Sequence, residues 1–215
     1  MRFARLYPHP HLLTIGRLIE RKGVAWFLLE VLPLLLLDFP LIHYSIVGTG
    51  PQERLIKKII QEKDLQDHVS LHEQATDAER DTLLSGATLL VTPNIPVEGD
   101  MEGFGMVCIE ASGRGVPVCA ARLEGLSDAV IEGRTGHFFH PLDPADCARV
   151  IRVMIESPLA PGEGARATME RYAWPRLLER YHREVFGGKE NEDRHRDVGL
   201  SFSQRGSGTI ATVDR

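Results

Sequence analysis

Two carboxylates eight positions apart, Glu102 and Glu110, bracket the segment whose residue types could do chemistry. Between them, Gly103 and Gly105 precede an apolar helical pattern. A helix N-terminus presents unpaired backbone N–H groups and a partial positive charge, and glycines before it let an anion approach those amides. One carboxylate is therefore expected before an anion site and one behind it. This layout suits a ligand with a central diphosphate and hydroxyl-bearing groups at both ends, which describes a nucleotide sugar.

Two cations, Arg17 and Lys22, lie in the loop 16–23 that follows the first predicted strand. Because parallel sheets bind ligands at the carboxyl ends of their strands, both cations can reach a phosphate group from this loop. Charge-assisted hydrogen bonds are worth about 1.5–3 kcal/mol each. Taken alone, the loop could be a solvated basic turn. Together with the Glu102 segment it predicts a phosphate site.

A glycine pair, Gly48 and Gly50, follows the second predicted strand, as a dinucleotide fingerprint would. The motif is weak, because Pro51 intervenes and Glu53 stands where a third glycine is needed. Two interpretations stay open: a plain tight turn, or a close approach of backbone to ligand.

The elements that must position these residues alternate between strand and helix. This rhythm predicts an α/β fold with a Rossmann-like parallel sheet and helices on both faces. The predicted strands are 12–16, 41–47, 69–71, 88–92, 116–120 and 137–139. The predicted helices are 24–38, 52–63, 77–85, 105–114, 127–132, 144–156, 165–172 and 175–186.

Composition narrows the function classes. The 215 residues carry a net charge of -5, which gives no basic face for nucleic acid. The three cysteines form no CxxC pair and indicate a reducing, cytoplasmic compartment. The most apolar run, 24–42, contains Glu30, Pro33, Asp38 and Pro40, so a buried helix followed by a strand is favoured over a membrane span.

The motifs in their order resemble the donor half of the family-four retaining glycosyltransferases, which have the GT-B fold of two Rossmann-like domains facing across a cleft. The similarity runs from about Leu12 to Phe186. The motifs that carry it are Leu13 to Leu18 with Lys22-Gly23, Val47 to Pro51, Glu102 to Gly105 with Glu110-Ala111, Gly115 to Val118, Gly133 to Gly136, and Tyr172 to Trp174.

The resemblance implies a role for each matching residue. Arg17 and Lys22 match the diphosphate-binding pair, which would neutralise the leaving group without a metal. Glu110 matches the carboxylate that holds the ribose hydroxyls, and Glu102 the carboxylate that faces the transferred sugar near its reacting carbon. Arg17, Lys22 and Glu102 are therefore the predicted catalytic residues. The predicted donor site comprises these residues with Gly16, Gly48, Gly50, Gly103, Phe104, Gly105, Met106, Val107 and Glu110.

Two departures from the family pattern affect the predicted site. The run 124–128 replaces the usual Gly-Gly and Pro-Glu pairs, so the loop near the sugar is expected to differ. Glu73 stands where the family has a glycine at the start of the base pocket, which leaves UDP and GDP sugars both open.

The predicted domain organisation is a lead-in or linker remnant at 1–11, a nucleotide-sugar-binding domain at 12–186 and a disordered polar tail at 187–215. The resemblance implies an acceptor-binding N-terminal-type domain, or a separate chain, as a partner. A fragment of a longer enzyme, a misassigned start or split gene, and a half-enzyme are three explanations that stay open. The expected location is the cytoplasm, with association at the inner face of a membrane through the other half as an open alternative.

The predicted function is donor binding for retaining hexosyl transfer to an unidentified acceptor, as in polysaccharide or glycolipid biosynthesis, with turnover only beside an acceptor-binding half. No cofactor and no metal are expected. A non-catalytic nucleotide-sugar-binding or regulatory module is the main alternative. An oxidoreductase domain using Glu73, and a metal site formed by Glu98, Asp100 and Glu102, are two weaker ones.

Overall fold

Six parallel strands form one sheet in the order β3-β2-β1-β4-β5-β6 in a computed structural model that describes residues 9–160, 162–173 and 178, without the side chain of Glu124. The strands are β1 His11–Ile15, β2 His43–Val47, β3 Val69–His72, β4 Leu89–Thr92, β5 Val118–Ala121 and β6 Gly136–Phe139. The helices are α1 Val24–Trp26, α2 Leu32–Asp38, α3 Glu53–Glu62, α4 Asp77–Gly86, α5 Met106–Gly113, α6 Glu124–Ala129, α7 Pro144–Glu156 and α8 Glu163–Tyr172. The predicted Rossmann-like α/β fold is confirmed.

The order of the strands changes direction between β1 and β4: β2 and β3 follow on one side of β1, and β4, β5 and β6 follow on the other. Strand β1 pairs with β2 on one side and with β4 on the other, with Leu12 opposite Leu89 and Leu13 opposite Leu90. In an open parallel sheet this change of direction leaves a crevice beyond the carboxyl ends of the two central strands. The loop after β1 and the loop after β4 therefore meet there, and they carry the predicted cations and Glu102.

A buried polar chain fixes the central strands to each other. Tyr44 donates to Thr14 Oγ1 at 2.8 Å, and Thr14 in turn donates to the Val91 carbonyl at 2.6 Å. All three residues are buried, so these bonds replace those that water would make. These two hydrogen bonds connect β2 to β1 and β1 to β4 just below the ligand edge of the sheet.

The predicted helix 24–38 is confirmed as a helical segment with a change of geometry inside it. Between α1 and α2 lies a π-helical turn, Phe27–Val31. Pro33, in the first turn of α2, has no N–H to donate to the preceding turn, so a wider turn there accommodates it. Among the described residues, no helix is both long enough and apolar enough to cross a bilayer.

The prediction for the sixth helix is wrong in position. Helix α6 runs from Glu124 to Ala129 instead of 127–132, because Leu123 is extended before it and Val130 is extended after it. Residues 131–135 form a turn in which the Thr135 hydroxyl accepts from the Ile131 N–H at 2.7 Å. The chain divides between Met169 and Glu170 into two units, each with more contacts inside it than to the other. The predicted tail 187–215 and, apart from Leu178, the predicted helix 175–186 lie outside the described residues.

Candidate functional site

One oxygen of Glu102 accepts three hydrogen bonds. Arg21 Nη1 lies at 2.6 Å, Lys22 Nζ at 2.5 Å and Asn94 Nδ2 at 2.7 Å from Glu102 Oε2. The Glu102 side chain is only 11% exposed. Burial opposes its ionisation, but the bond and charge of Lys22, the Asn94 amide and the charge of Arg21 outweigh burial and hold the pKa of the carboxyl below its ordinary value. Glu102 is thus an ionised carboxylate at the carboxyl edge of β4.

Arg21 also holds a second carboxylate. Its Nε donates to Asp100 Oδ1 at 2.7 Å, while its Nη1 donates to Glu102. The backbone joins the same two loops, because the Ile95 N–H donates to the Arg21 carbonyl at 2.9 Å. Arg21 alone therefore attaches the loop after β1 to three residues of the loop after β4, and Lys22 adds a fourth bond between the two loops.

The segment between Asn94 and Glu102 forms a wall of this region. It turns back on itself at Gly99, which has φ +75°, with an isolated bridge between Val97 and Asp100. A cavity of about 310 Å³ opens beside this segment, and its polar lining residues are Arg21, Asn94, Glu98, Asp100 and Glu102. The described residues that line it do not include Arg17, Lys22 or Glu110.

Arg17 lies on the same loop but is not part of this ion-pair cluster. Its side chain is exposed, and it has no hydrogen bond or ion pair within the part of the chain that the structure describes. The structure therefore leaves its guanidinium open to an anion in solution, as the predicted role requires.

The glycine pair after β2 allows two loops to touch through their backbones. A Cβ on Gly48 would overlap the carbonyl oxygen of Gly16, and one on Gly50 would overlap the backbone of Leu18. Leu18 N–H donates to the Thr49 carbonyl at 2.8 Å. The close approach is thus between backbone and backbone, and the predicted contact of Gly48 and Gly50 with a ligand stays a prediction.

Helix α5 begins where the sequence places the anion site. Gly105 is its N-cap with φ +67°, and the helix runs from Met106, so Val107 lies in its first turn. A Cβ on Gly125 of α6 would overlap the Gly103 carbonyl, so α6 packs closely against the backbone that precedes α5. Because Gly125 has no side chain, the first turn of α6 can lie against the Gly103 backbone without a clash. The side chains of Phe104 and Met106 are 42% and 58% exposed.

Glu110, on the second turn of α5, is paired with a residue that the sequence did not single out. Arg80 Nη2 on α4 donates to Glu110 Oε2. The Glu110 side chain is partly exposed, and its Oε1 has no hydrogen bond to any described group. The structure brings Glu102, Lys22, Arg21 and Asn94 together. Glu110 on α5 and Arg80 on α4 form a separate pair.

Three of the four acidic residues of the weaker alternatives, Glu73, Asp100 and Glu102, pair with cations of the chain. Glu73 pairs with Lys57 at 2.6 Å on the exposed side of α3. Asp100 and Glu102 both pair with Arg21 instead of pointing at a common empty centre. Within the described ranges, no three His, Cys, Asp or Glu side chains are grouped in a way that could hold a metal ion.

A family model and the similar proteins of known name all indicate a glycosyltransferase. A family model described as "Glycosyl transferases group 1" matches residues 8–174. The chain is 31% identical over 186 residues to a D-inositol 3-phosphate glycosyltransferase of Arthrobacter sp. (strain FB24), covering 81% of this chain and 43% of that protein. It is 33% identical over 167 residues to a phosphatidyl-myo-inositol mannosyltransferase of Mycolicibacterium smegmatis, covering 75% and 41% respectively.

A solved structure supports the fold. Anabaena Alr3699/HepE in complex with UDP superposes with a TM-score of 0.66 at 20% identity, covering 83% of this chain and 49% of that one. The chain thus spans less than half the length of these relatives. Residues 8–174, which the family model matches, include Arg17, Lys22, Glu102 and Glu110 of this chain.

Proposed function

Because this chain belongs to the group 1 glycosyl transferases, we propose that it is a donor-binding half that holds a nucleotide-diphosphate sugar, with UDP or GDP as the nucleotide. We further propose that it takes part in retaining hexosyl transfer to an acceptor bound by a second, N-terminal-type domain or chain. The observation that carries the proposal is the direct pairing of Lys22 with Glu102 across the carboxyl ends of β1 and β4. This pairing supports one site shared by the two predicted roles, diphosphate binding and sugar binding.

Each named residue has a task in this proposal. Arg17 and Lys22 bind the diphosphate, and the first amides of α5 face the same group. Negative charge grows on the diphosphate as the bond to the sugar breaks, so these fixed positive groups stabilise the transition state more than the ground state. No metal is required for that step in our proposal.

The two glutamates divide the remaining contacts. Glu102 faces the sugar with Oε1, the oxygen to which no described residue donates. Glu110 accepts from the ribose hydroxyls with Oε1, while Arg80 occupies its other oxygen. An ionised carboxylate is a strong acceptor for hydroxyl groups, so the sugar and the ribose, which flank the diphosphate, are both held.

Several observations bear on the ligands without fixing them. HepE, one of the structures of similar fold, was solved with UDP, which supports UDP as the first nucleotide to test. The two curated relatives differ in the acceptor that their names give, so we propose no acceptor. We expect the chain to work in the cytoplasm, with any attachment to the inner face of a membrane supplied by the acceptor-binding half.

Titration calorimetry of the chain with UDP, GDP and ADP tests the proposal. Two charge-assisted contacts correspond to about 3–6 kcal/mol, so we expect dissociation constants in roughly the range from tens of micromolar to several millimolar for UDP or GDP. Sugar transfer should require the second half. If none of the three nucleotides binds at millimolar concentration, the chain is not a donor-binding half.

A further inference from the structure

Arg21 belongs to this site, but neither the sequence motifs nor the comparisons give it a role. Its guanidinium donates to Asp100 and Glu102 at 2.7 and 2.6 Å, and its side chain is only 16% exposed. Arginine stays protonated at every pH that a protein meets, and its rigid fork suits two carboxylates at once. Arg21 is therefore a fixed positive charge next to Glu102.

Lys22 has two tasks that compete. Its ammonium group lies 2.5 Å from Glu102 Oε2, yet the proposed function requires the same group at the diphosphate. A diphosphate carries more negative charge than a carboxylate, so it draws Lys22 towards itself. Glu102 then loses its nearest cation while it is still largely buried, and an uncompensated buried carboxylate is costly.

Arg21 can compensate the charge of Glu102 after Lys22 has moved to the diphosphate, because Arg21 is held in place. Its second bond, to Asp100, fixes the guanidinium from the side away from Glu102. Asn94, which is 2% exposed, donates to the same Glu102 oxygen from the end of β4. Two fixed donors remain on Oε2 after Lys22 has moved.

We propose that Arg21 is a positioning residue that keeps Glu102 ionised and in place while Lys22 turns to the diphosphate. This inference rests on the proposed donor site. It makes the affinity for a diphosphate depend on Arg21 through Glu102: without Arg21, Glu102 retains Lys22, and a ligand must break that pair to bind. When Glu102 carries no charge, Arg21 has little left to compensate.

A double-mutant cycle at pH 7 tests this dependence, with UDP and inorganic diphosphate as probes in calorimetry. Arg21→Gln should weaken binding of both probes at least about fivefold when Glu102 is present, but less than about twofold in the Glu102→Gln chain. Arg21→Lys keeps the charge and should restore most of the lost affinity. Arg149→Gln, which removes an exposed arginine that pairs with Asp146 on α7, is the matched control and should change affinity less than about twofold.

The outcomes separate this inference from the proposed function. An equal loss from Arg21→Gln in the Glu102 and Glu102→Gln chains would show that Arg21 acts only as a distant charge, and would overturn the inference while leaving the donor site intact. If the unaltered chain binds neither UDP nor inorganic diphosphate, the proposed function fails and the inference with it. Thermal unfolding of each variant shows whether it is folded at the titration temperature.

Discussion

Lys22 Nζ lies 2.5 Å from Glu102 Oε2, so the cation predicted for the diphosphate and the carboxylate predicted for the sugar touch each other. The two residues are 80 positions apart and meet because β1 and β4 are neighbours in the sheet. This contact joins two segments that were assigned separate ligand groups into a single candidate site.

Removing either predicted diphosphate cation should weaken nucleotide binding. For Lys22→Gln and for Arg17→Ala we expect at least about a tenfold loss of UDP affinity in calorimetry, because each contact is worth about 1.5–3 kcal/mol. Lys63→Ala is the control, since Lys63 is exposed at the C-terminal end of α3. Unchanged affinity in both site variants would remove these cations from the site.

Glu110 should contribute to nucleotides but not to free diphosphate. Glu110→Ala removes the proposed partner of the ribose hydroxyls, so UDP should bind at least about fivefold more weakly while inorganic diphosphate changes less than about twofold. Glu62→Ala, on the exposed side of α3, is a matched carboxylate control. Losses of equal size for the two ligands would contradict the ribose role.

The contact between the loops after β1 and β2 should be sensitive to a single methyl group. Gly48 has φ +146°, and a Cβ there would overlap the Gly16 carbonyl oxygen. Gly48→Ala should therefore lower the free energy of unfolding by at least about 2 kcal/mol in urea titrations. Gly103→Ala, where the described structure leaves open space around the added carbon, should change it by less than about 0.5 kcal/mol. Similar values for the two variants would show that this loop contact does not matter for stability.

Acid should destabilise the chain through His11. Burial, and then the nearby charges of His43 and His72, lower the pKa of His11 from 6.5 to about 3. Because the pKa of His11 is lower in the folded chain, protons bind the unfolded chain preferentially. The contribution of neutral His11 to the free energy of unfolding is then fully present above pH 6.5 and is lost as the pH falls from 6.5 towards about 3. The free energy of unfolding falls by up to about 1.4 kcal/mol per pH unit in this range. The pKa of His43 is lowered as well, mainly by burial and then by the charges of His68 and His72, and it adds to the same trend.

Urea titrations at several pH values check the contribution of His11. His11→Gln can keep the hydrogen bond to Ser45, which is 2.9 Å long in the structure, and should flatten the slope of stability against pH. His9→Gln, at an exposed histidine, is the control. An unchanged slope in the His11 variant would show that another group causes the acid sensitivity.

The sequence predicted those parts of the site that follow from strand order and helix ends. Lys22 and Glu102 lie in the loops that follow β1 and β4, and the N-terminus of α5 follows glycines, so their places can be predicted from strand order and local patterns. Asn94 could have been found in the same way, as the polar residue two positions beyond β4. Arg80 could not, because its pairing with Glu110 depends on how α4 packs beside α5. Arg21 was overlooked for the same reason: only the folded chain brings it to Glu102 and Asp100.

The error in α6 has a physical cause of its own. Glycine is a poor helix former, so the local sequence around Gly125 does not indicate a helix that begins at Glu124. In the structure its missing side chain lets α6 lie against the backbone at Gly103. Tertiary packing, which the local sequence pattern does not contain, decided the boundary.

The most direct measurement is a titration of the ¹⁵N-labelled chain with UDP, followed by amide chemical shifts. The account predicts that the largest changes fall on the loop 16–23 and on Gly105, Met106 and Val107 at the start of α5, with smaller ones at Glu110. The Lys22→Gln chain should show the same pattern only at roughly tenfold higher UDP concentration. Changes confined to other parts of the chain, or none at millimolar UDP, GDP and ADP, would contradict a nucleotide-sugar site between Lys22 and Glu102.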